Sequence, residues 1–244
     1  MMNKKLVSAA VGTALFAGIG ATSVQAFDIS ANVAIVSDYR FRGITQTGKD
    51  AAVQGGFDAS FEPGFYIGTW ASSVDFGDVT DGSGSYGTME IDYYAGWSGP
   101  IGDTDFGVDV GYYYYQYPGD TVDPKGDYEE FNVTGSWKDL SIGVTYSDDF
   151  YAKTGKYWYY AGDYSMTFFE DFSVGLHAGY NDFDDEGFFA TDETGYTDYS
   201  ITLGYTFKGV DFSVAWVGTD LDDDDCWNSD YCDDTAVFSI SKSL

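Results

Sequence analysis

The sequence predicts an all-β fold, an antiparallel transmembrane β-barrel of about 12 strands with short periplasmic turns and long acidic extracellular loops. Three observations predict it. Apolar residues recur at every second position through most of the chain, short and long polar connections alternate between those segments, and aromatic residues flank each short connection. The alternation is clearest at Tyr199, Ile201, Leu203, Tyr205 and Phe207, set against Ser200, Thr202, Gly204 and Thr206. After Lys208-Gly209 it resumes with Val210, Phe212, Val214 and Trp216, opposite Asp211, Ser213 and Ala215. A period of two interrupted by a two-residue break is a tight hairpin. One of its faces is small and polar throughout, so a barrel with apolar residues toward lipid and polar ones toward a lumen accounts for both faces.

At the start of the chain, Lys4 and Lys5 precede an apolar run from Leu6 to about Ala21, and Val24-Gln25-Ala26 places small residues at cleavage positions. Met1–Ala26 therefore reads as a secretory signal peptide, with residues 27–244 forming the barrel. The whole chain has 11 basic and 40 acidic residues, and removing Lys4 and Lys5 leaves 9 against 40, a charge of −31. A surface this acidic repels phosphate backbones and excludes nucleic acid as a partner. Cys226 and Cys232 share one loop, and in an oxidising exterior compartment they are expected to form a disulfide.

The first strand reads as Phe27, Ile29, Ala31, Val33 and Ile35, with its apolar face continuing through Tyr39 and Phe41 and its polar face through Arg40 and Arg42. Val53, Phe57, Ala59 and Phe61 mark the second strand, which turns at Glu62-Pro63-Gly64. The third, Phe65 to Ser72, has an open register, because Tyr66 and Trp70 compete with Phe65 and Ile67 for the apolar face. Met89 to Trp97 and Phe106 to Tyr114 make the next hairpin, then Phe131 to Trp137 with Leu140 to Tyr146 around Lys138-Asp139. Trp158 to Phe168 and Phe172 to Tyr180 flank Glu170-Asp171, the opening hairpin follows, and Ala236, Phe238, Ile240 and Leu244 end the chain. Long polar segments lie near 43–50, 74–87, 118–126, 148–155, 181–195 and 220–234. A barrel with both termini in the periplasm requires that alternation of short turns and long loops.

The stretch Ser37-Asp38-Tyr39-Arg40-Phe41-Arg42-Gly43-Ile44-Thr45-Gln46-Thr47 resembles the opening signature of the TorF family, whose members are assigned as outer-membrane porins. Glu90-Ile91-Asp92-Tyr93-Tyr94-Ala95-Gly96-Trp97 resembles that family's next block. The resemblance implies an outer-membrane location and a pore, and little about substrate. Leu244 departs from the aromatic residue that commonly ends such barrels.

By strand parity the polar face carries Asp58, Glu90, Asp92, Asp109, Asp163 and Asp198. Carboxylates in a confined lumen attract cations, so the expectation is a passive channel for small hydrophilic solutes with weak cation selectivity. Arg40 and Arg42, the only arginines, either set a transverse field near the outer mouth or form a salt bridge fixing the first long loop. The alternative reading is a non-conducting barrel whose acidic extracellular loops act as a surface binding or adhesion module. Tyr94, Tyr113, Tyr115, Tyr157 and Tyr159 on the polar face carry enough bulk to plug a lumen.

Catalysis has no motif here. His177 is the single histidine and shares a face with Ser173, but it points to the lumen and no nucleophile motif surrounds any serine. Asp222-Asp223-Asp224-Asp225 lacks the spaced ligands and glycine of an EF-hand loop and reads as a solvated acidic loop rather than a metal site. No cofactor is implied. The expected partners are outer-membrane lipid, small solutes or cations, and the barrel-assembly machinery during biogenesis, with the oligomeric state left open.

Overall fold

The structure is a computed structural model that describes residues 27–77, 84–169, 171–184 and 188–244. The expected signal segment Met1–Ala26 and Glu170 of one expected turn lie outside the described residues.

The first strand, β1 (Phe27–Val36), is followed by two short pieces, β2 (Arg40–Phe41) and β3 (Ile44–Thr45), which pair with each other. The wall continues through β4 (Ala52–Phe61), β5 (Phe65–Ser73), β6 (Met89–Pro100), β7 (Phe106–Gln116) and β8 (Tyr128–Trp137). It is completed by β9 (Leu140–Ser147), β10 (Tyr157–Phe168), β11 (Phe172–Phe183), β12 (Gly195–Phe207), β13 (Val210–Thr219) and β14 (Thr235–Ser243). Leaving aside β2 and β3, 12 strands pair antiparallel with their sequence neighbours, and β1 closes the ring by pairing with both β4 and β14. At the seam Ile35 is the register partner of Val53 on one side and Ile240 on the other. Closure leaves no strand edge with unpaired backbone groups, which is what lets a sheet stand in hydrocarbon.

Side-chain alternation sorts the two surfaces. Ile29, Phe57 and Ile142 are 69, 65 and 62% exposed, so the apolar face is the outer one. A soluble sandwich would bury these residues; a barrel presents them to lipid. The register left open in the third strand is settled by burial: Phe65 and Ile67 point out, Tyr66 is buried, and Trp70 packs inward against Tyr39 with ring centroids 5.5 Å apart. The hairpin turn Lys208-Gly209 has φ of 52° and 73°, the paired positive values whose twist matches that of the flanking strands.

The interior differs between its two ends. Toward the short turns several inward residues are small and polar, for example Ser213 and Ser239, whose hydroxyls meet at 2.7 Å, while Tyr66 fills the interior beside the Glu62-Pro63-Gly64 turn. Toward the long loops the interior is a packed aromatic cluster that includes Tyr115, Tyr128, Phe150, Tyr157, Phe183 and Tyr196. Tyr115 stacks on Tyr128 at 4.5 Å and Phe150 on Tyr157 at 4.2 Å.

The main correction concerns the first strand. The expected continuation of its two faces through Phe41 and Arg42 does not occur, because β1 ends at Val36 and the chain turns into the barrel. Tyr39, expected on the outer apolar face, is 4% exposed inside. Smaller differences are strand ends: β8 starts at Tyr128 and β11 runs to Phe183, each longer than the apolar period alone indicates.

Candidate functional site

Residues 37–51 fold into the bore as a hairpin whose turn is Arg42-Gly43, with φ of 48° and 84°. A Cβ on Gly43 would lie 2.4 Å from Thr219 Cγ2 and 3.0 Å from the Gly218 carbonyl oxygen, so only glycine lets the tip press against β13. From that tip the Arg42 side chain reaches β8, where Nη1 and Nη2 donate to Glu130 Oε1 and Oε2, both at 2.8 Å. Strands β8 and β13 stand five apart in the 12-strand ring, nearly opposite, so loop and side chain together span the interior. The guanidinium also lies over the rings of Phe41 and Tyr159, 4.4 Å from each centroid. The Glu130 carboxylate thus takes the planar fork and the two rings the flat face, a combination that arginine alone offers.

Further hydrogen bonds hold the loop and Glu130 from both sides of the ring, from β6 and β7 on one side and β12 on the other. Tyr39 Oη donates to Glu90 Oε1 at 2.9 Å, Tyr115 Oη to Glu130 Oε2 at 3.0 Å, and Tyr196 Oη to the Arg42 carbonyl oxygen at 2.9 Å. Arg40 turns the other way. Its Nε donates to Asp38 Oδ2 at 2.6 Å and its Nη1 to the carbonyl oxygens of Gly43, Tyr231 and Asp233. At 1% exposure it does not face an open bore; it clasps the first loop to the 220–234 loop. Of the two alternatives for the arginines, fixing the loop describes Arg40, while Arg42 both fixes the loop and crosses the bore.

Each carboxylate placed on the polar face by parity does face inward. Asp58 accepts from Tyr94 Oη at 2.5 Å and Asp109 from Tyr66 Oη at 3.1 Å. Glu90 and Asp92 lie two apart on β6, both buried. Asp163 and Asp198 flank His177, whose Nδ1 is 2.7 Å from Asp163 Oδ1 and whose Nε2 is 2.8 Å from Asp198 Oδ1. Tyr159 Oη shares that His177 Nε2 at 2.8 Å, and Asn181 Nδ2 donates to Asp198 Oδ2 at 2.8 Å. The five inward tyrosines named from the sequence are likewise inside, with Tyr157 1% exposed. Glu130 was missed by the apolar pattern because it precedes Phe131, yet Glu130, Asn132 and Thr134 continue one polar face opposite Phe131 and Val133.

No curated protein matches the chain in sequence. Residues 20–244 match the family described as a bacterial protein of unknown function, Gcw_chp. The chain belongs to the Gcw_chp family. The match carries that description rather than the TorF name suggested by the loop signature. Among solved structures the chain is similar to the KdgM porin, with a TM-score of 0.54 at 11% identity, covering 88% of this chain and 98% of that one. A KdgM porin structure described as in complex with disordered oligogalacturonate gives 0.53 at 11%, covering 88% and 97%. The NanC porin in a rhombohedral crystal form gives 0.54 at 10%, covering 89% and 99%. At such identities the likeness is one of fold.

Above the bore of this Gcw_chp barrel the loops are strongly acidic. Cys226 and Cys232 are joined in a disulfide, both buried. Asp223 is held above the usual carboxylate range by neighbouring Asp233, whereas the hydrogen bond from Lys49 holds Asp230 below it. Asp225 is occupied locally, accepting from Thr191 Oγ1 at 2.6 Å and from the Asp222 amide at 3.2 Å.

Proposed function

We propose that this protein is an outer-membrane, porin-like channel for passive diffusion of small hydrophilic solutes, weakly selective for cations. One observation carries the reading: among the described residues, and leaving aside the buried Arg40–Asp38 pair, inward-facing carboxylates outnumber inward-facing basic groups, with Asp58, Glu90, Asp92, Asp109, Glu130, Asp163 and Asp198 set against Arg42 and His177. In a confined, low-dielectric interior such an excess raises the local cation concentration and repels anions. The proposed pore-lining set is therefore Arg42 with those carboxylates, and Arg40 acts behind the lining as a clasp.

In this reading Met1–Ala26 directs export and is removed, the short turns face the periplasm, and the exposed apolar belt contacts outer-membrane lipid after delivery by the barrel-assembly machinery. The resemblance of the first loop to the TorF signature supports the same assignment. Both nitrogens of His177 already face carboxylate oxygens, which leaves neither free to activate a serine hydroxyl, and this supports a channel over an enzyme.

The buried aromatic cluster beneath the long loops favours a second reading, a non-conducting barrel whose acidic extracellular loops serve as a surface binding module. Single-channel recording of refolded residues 27–244 in a planar bilayer under a potassium chloride gradient separates the two. Discrete steps reversing on the cation side support the channel. Silence from protein shown to be folded, or reversal on the chloride side, overturns it.

A further inference from the structure

We infer that the bore holds a specific binding site for a small monovalent cation, an alkali ion or ammonium, centred on Asp92. The inference deepens the channel reading above by naming where a cation rests. Asp92 is 8% exposed, and its Oδ1 has no hydrogen-bond partner among the described residues. A buried carboxylate without a donor or counter-ion is strongly unfavourable in a low-dielectric interior.

Neither arginine is hydrogen-bonded to Asp92, although Arg40 Nη2 has no hydrogen-bond partner of its own among the described residues. Arg42 gives both terminal nitrogens to Glu130, and Arg40 binds Asp38 and three backbone carbonyl oxygens. Glu90, two residues away on the same face, accepts from Tyr39 Oη and brings a second negative charge rather than a neutralising one.

The surroundings suit a cation. Asp92 is the direct register partner of Trp70 on β5 and of Tyr115 on β7. Directly opposed antiparallel residues have Cβ atoms about 5 Å apart, so two aromatic side chains flank the carboxylate. Tyr39 closes over the Trp70 ring edge-on, at 63° and 5.5 Å. A buried carboxylate bordered by aromatic side chains attracts a compact cation through its charge, and a ring face turned to the ion adds cation–π attraction. A large organic cation does not fit beside residues this buried, and a carboxylate set of this kind does not reach the ligand count that divalent ions require.

Thermal unfolding of the refolded barrel in detergent tests the site without requiring conduction. Midpoints are compared in potassium chloride and in N-methylglucamine chloride at equal ionic strength, for the wild type, Asp92→Asn and Asp163→Asn. A ligand bound only by the folded state raises its midpoint with concentration. The expected result is a higher midpoint in potassium for the wild type and for Asp163→Asn, with the difference lost in Asp92→Asn. Equal midpoints in the two salts for the wild type overturn the site, as does a potassium effect that persists in Asp92→Asn. A potassium effect that depends on Asp92 in a barrel silent in bilayers keeps the site and removes only the channel.

Discussion

The guanidinium of Arg42 meets the carboxylate of Glu130 as a parallel pair of 2.8 Å hydrogen bonds, although 88 residues separate them in the chain. The pair is buried, with the two side chains 9 and 2% exposed, and it joins an inserted loop to the far wall of the barrel. Removing one partner strands the other charge. Glu130→Gln is therefore expected to destabilise the barrel by about 3 kcal/mol, and replacing both residues by apolar side chains of similar volume to cost less. Urea unfolding of both variants in lipid vesicles checks the order.

Gly43→Ala tests the tip of the same loop. A left-handed backbone costs a residue with Cβ about 1–2 kcal/mol, and here the new methyl also strikes Thr219 and the Gly218 carbonyl. The expected outcome is a lower midpoint than that of Gly209→Ala, where the nearest atom is the flexible Lys242 Nζ at 3.5 Å.

Arg40→Lys is not a conservative change at a site that needs Nε on Asp38 while Nη1 meets three carbonyl oxygens. A lysine ammonium cannot reproduce the fork, and losing a buried charge-assisted bond costs about 2 kcal/mol. Because two of those carbonyls belong to Tyr231 and Asp233, limited chymotrypsin digestion should cut the variant faster at Trp227 or Tyr231 than the wild type.

The acidic field should also respond to salt. The screening length falls from about 8 Å at 0.15 M to about 3 Å at 1 M ionic strength, so cation preference is expected to weaken as salt rises. Reversal potentials at a fixed gradient ratio but increasing mean concentration measure this; a preference independent of salt contradicts a diffuse carboxylate field.

The wall of the barrel was legible because each strand obeys a period of two that depends only on near neighbours. Ile201, Leu203 and Tyr205 had to face outward once Thr202 and Gly204 faced in, and β12 is built that way. The same parity placed Asp58, Glu90, Asp92, Asp109, Asp163 and Asp198 inside. Hidden from the sequence was the path of residues 37–51, since nothing in Tyr39-Arg40-Phe41-Arg42 distinguishes two more wall pairs from a hairpin folded inward. That choice rests on partners far along the chain, Glu90, Glu130 and Gly218, and on a glycine whose need shows only when β13 is beside it. Glu130 itself was readable, had the polar face of β8 been followed backward past Phe131 through Tyr128.

On the channel reading, an acidic bore runs through this barrel and the loop strutted by Arg42 and Glu130 limits its width. Single-channel conductance of the Arg42→Ala/Glu130→Ala double variant, compared with the wild type in the same bilayer and salt, tests it most directly. Larger unitary steps that still reverse on the cation side are expected, because the strut is gone while Asp58, Asp92, Asp109, Asp163 and Asp198 remain. Unitary steps equal to those of the wild type, or no steps from a folded double variant, would contradict it.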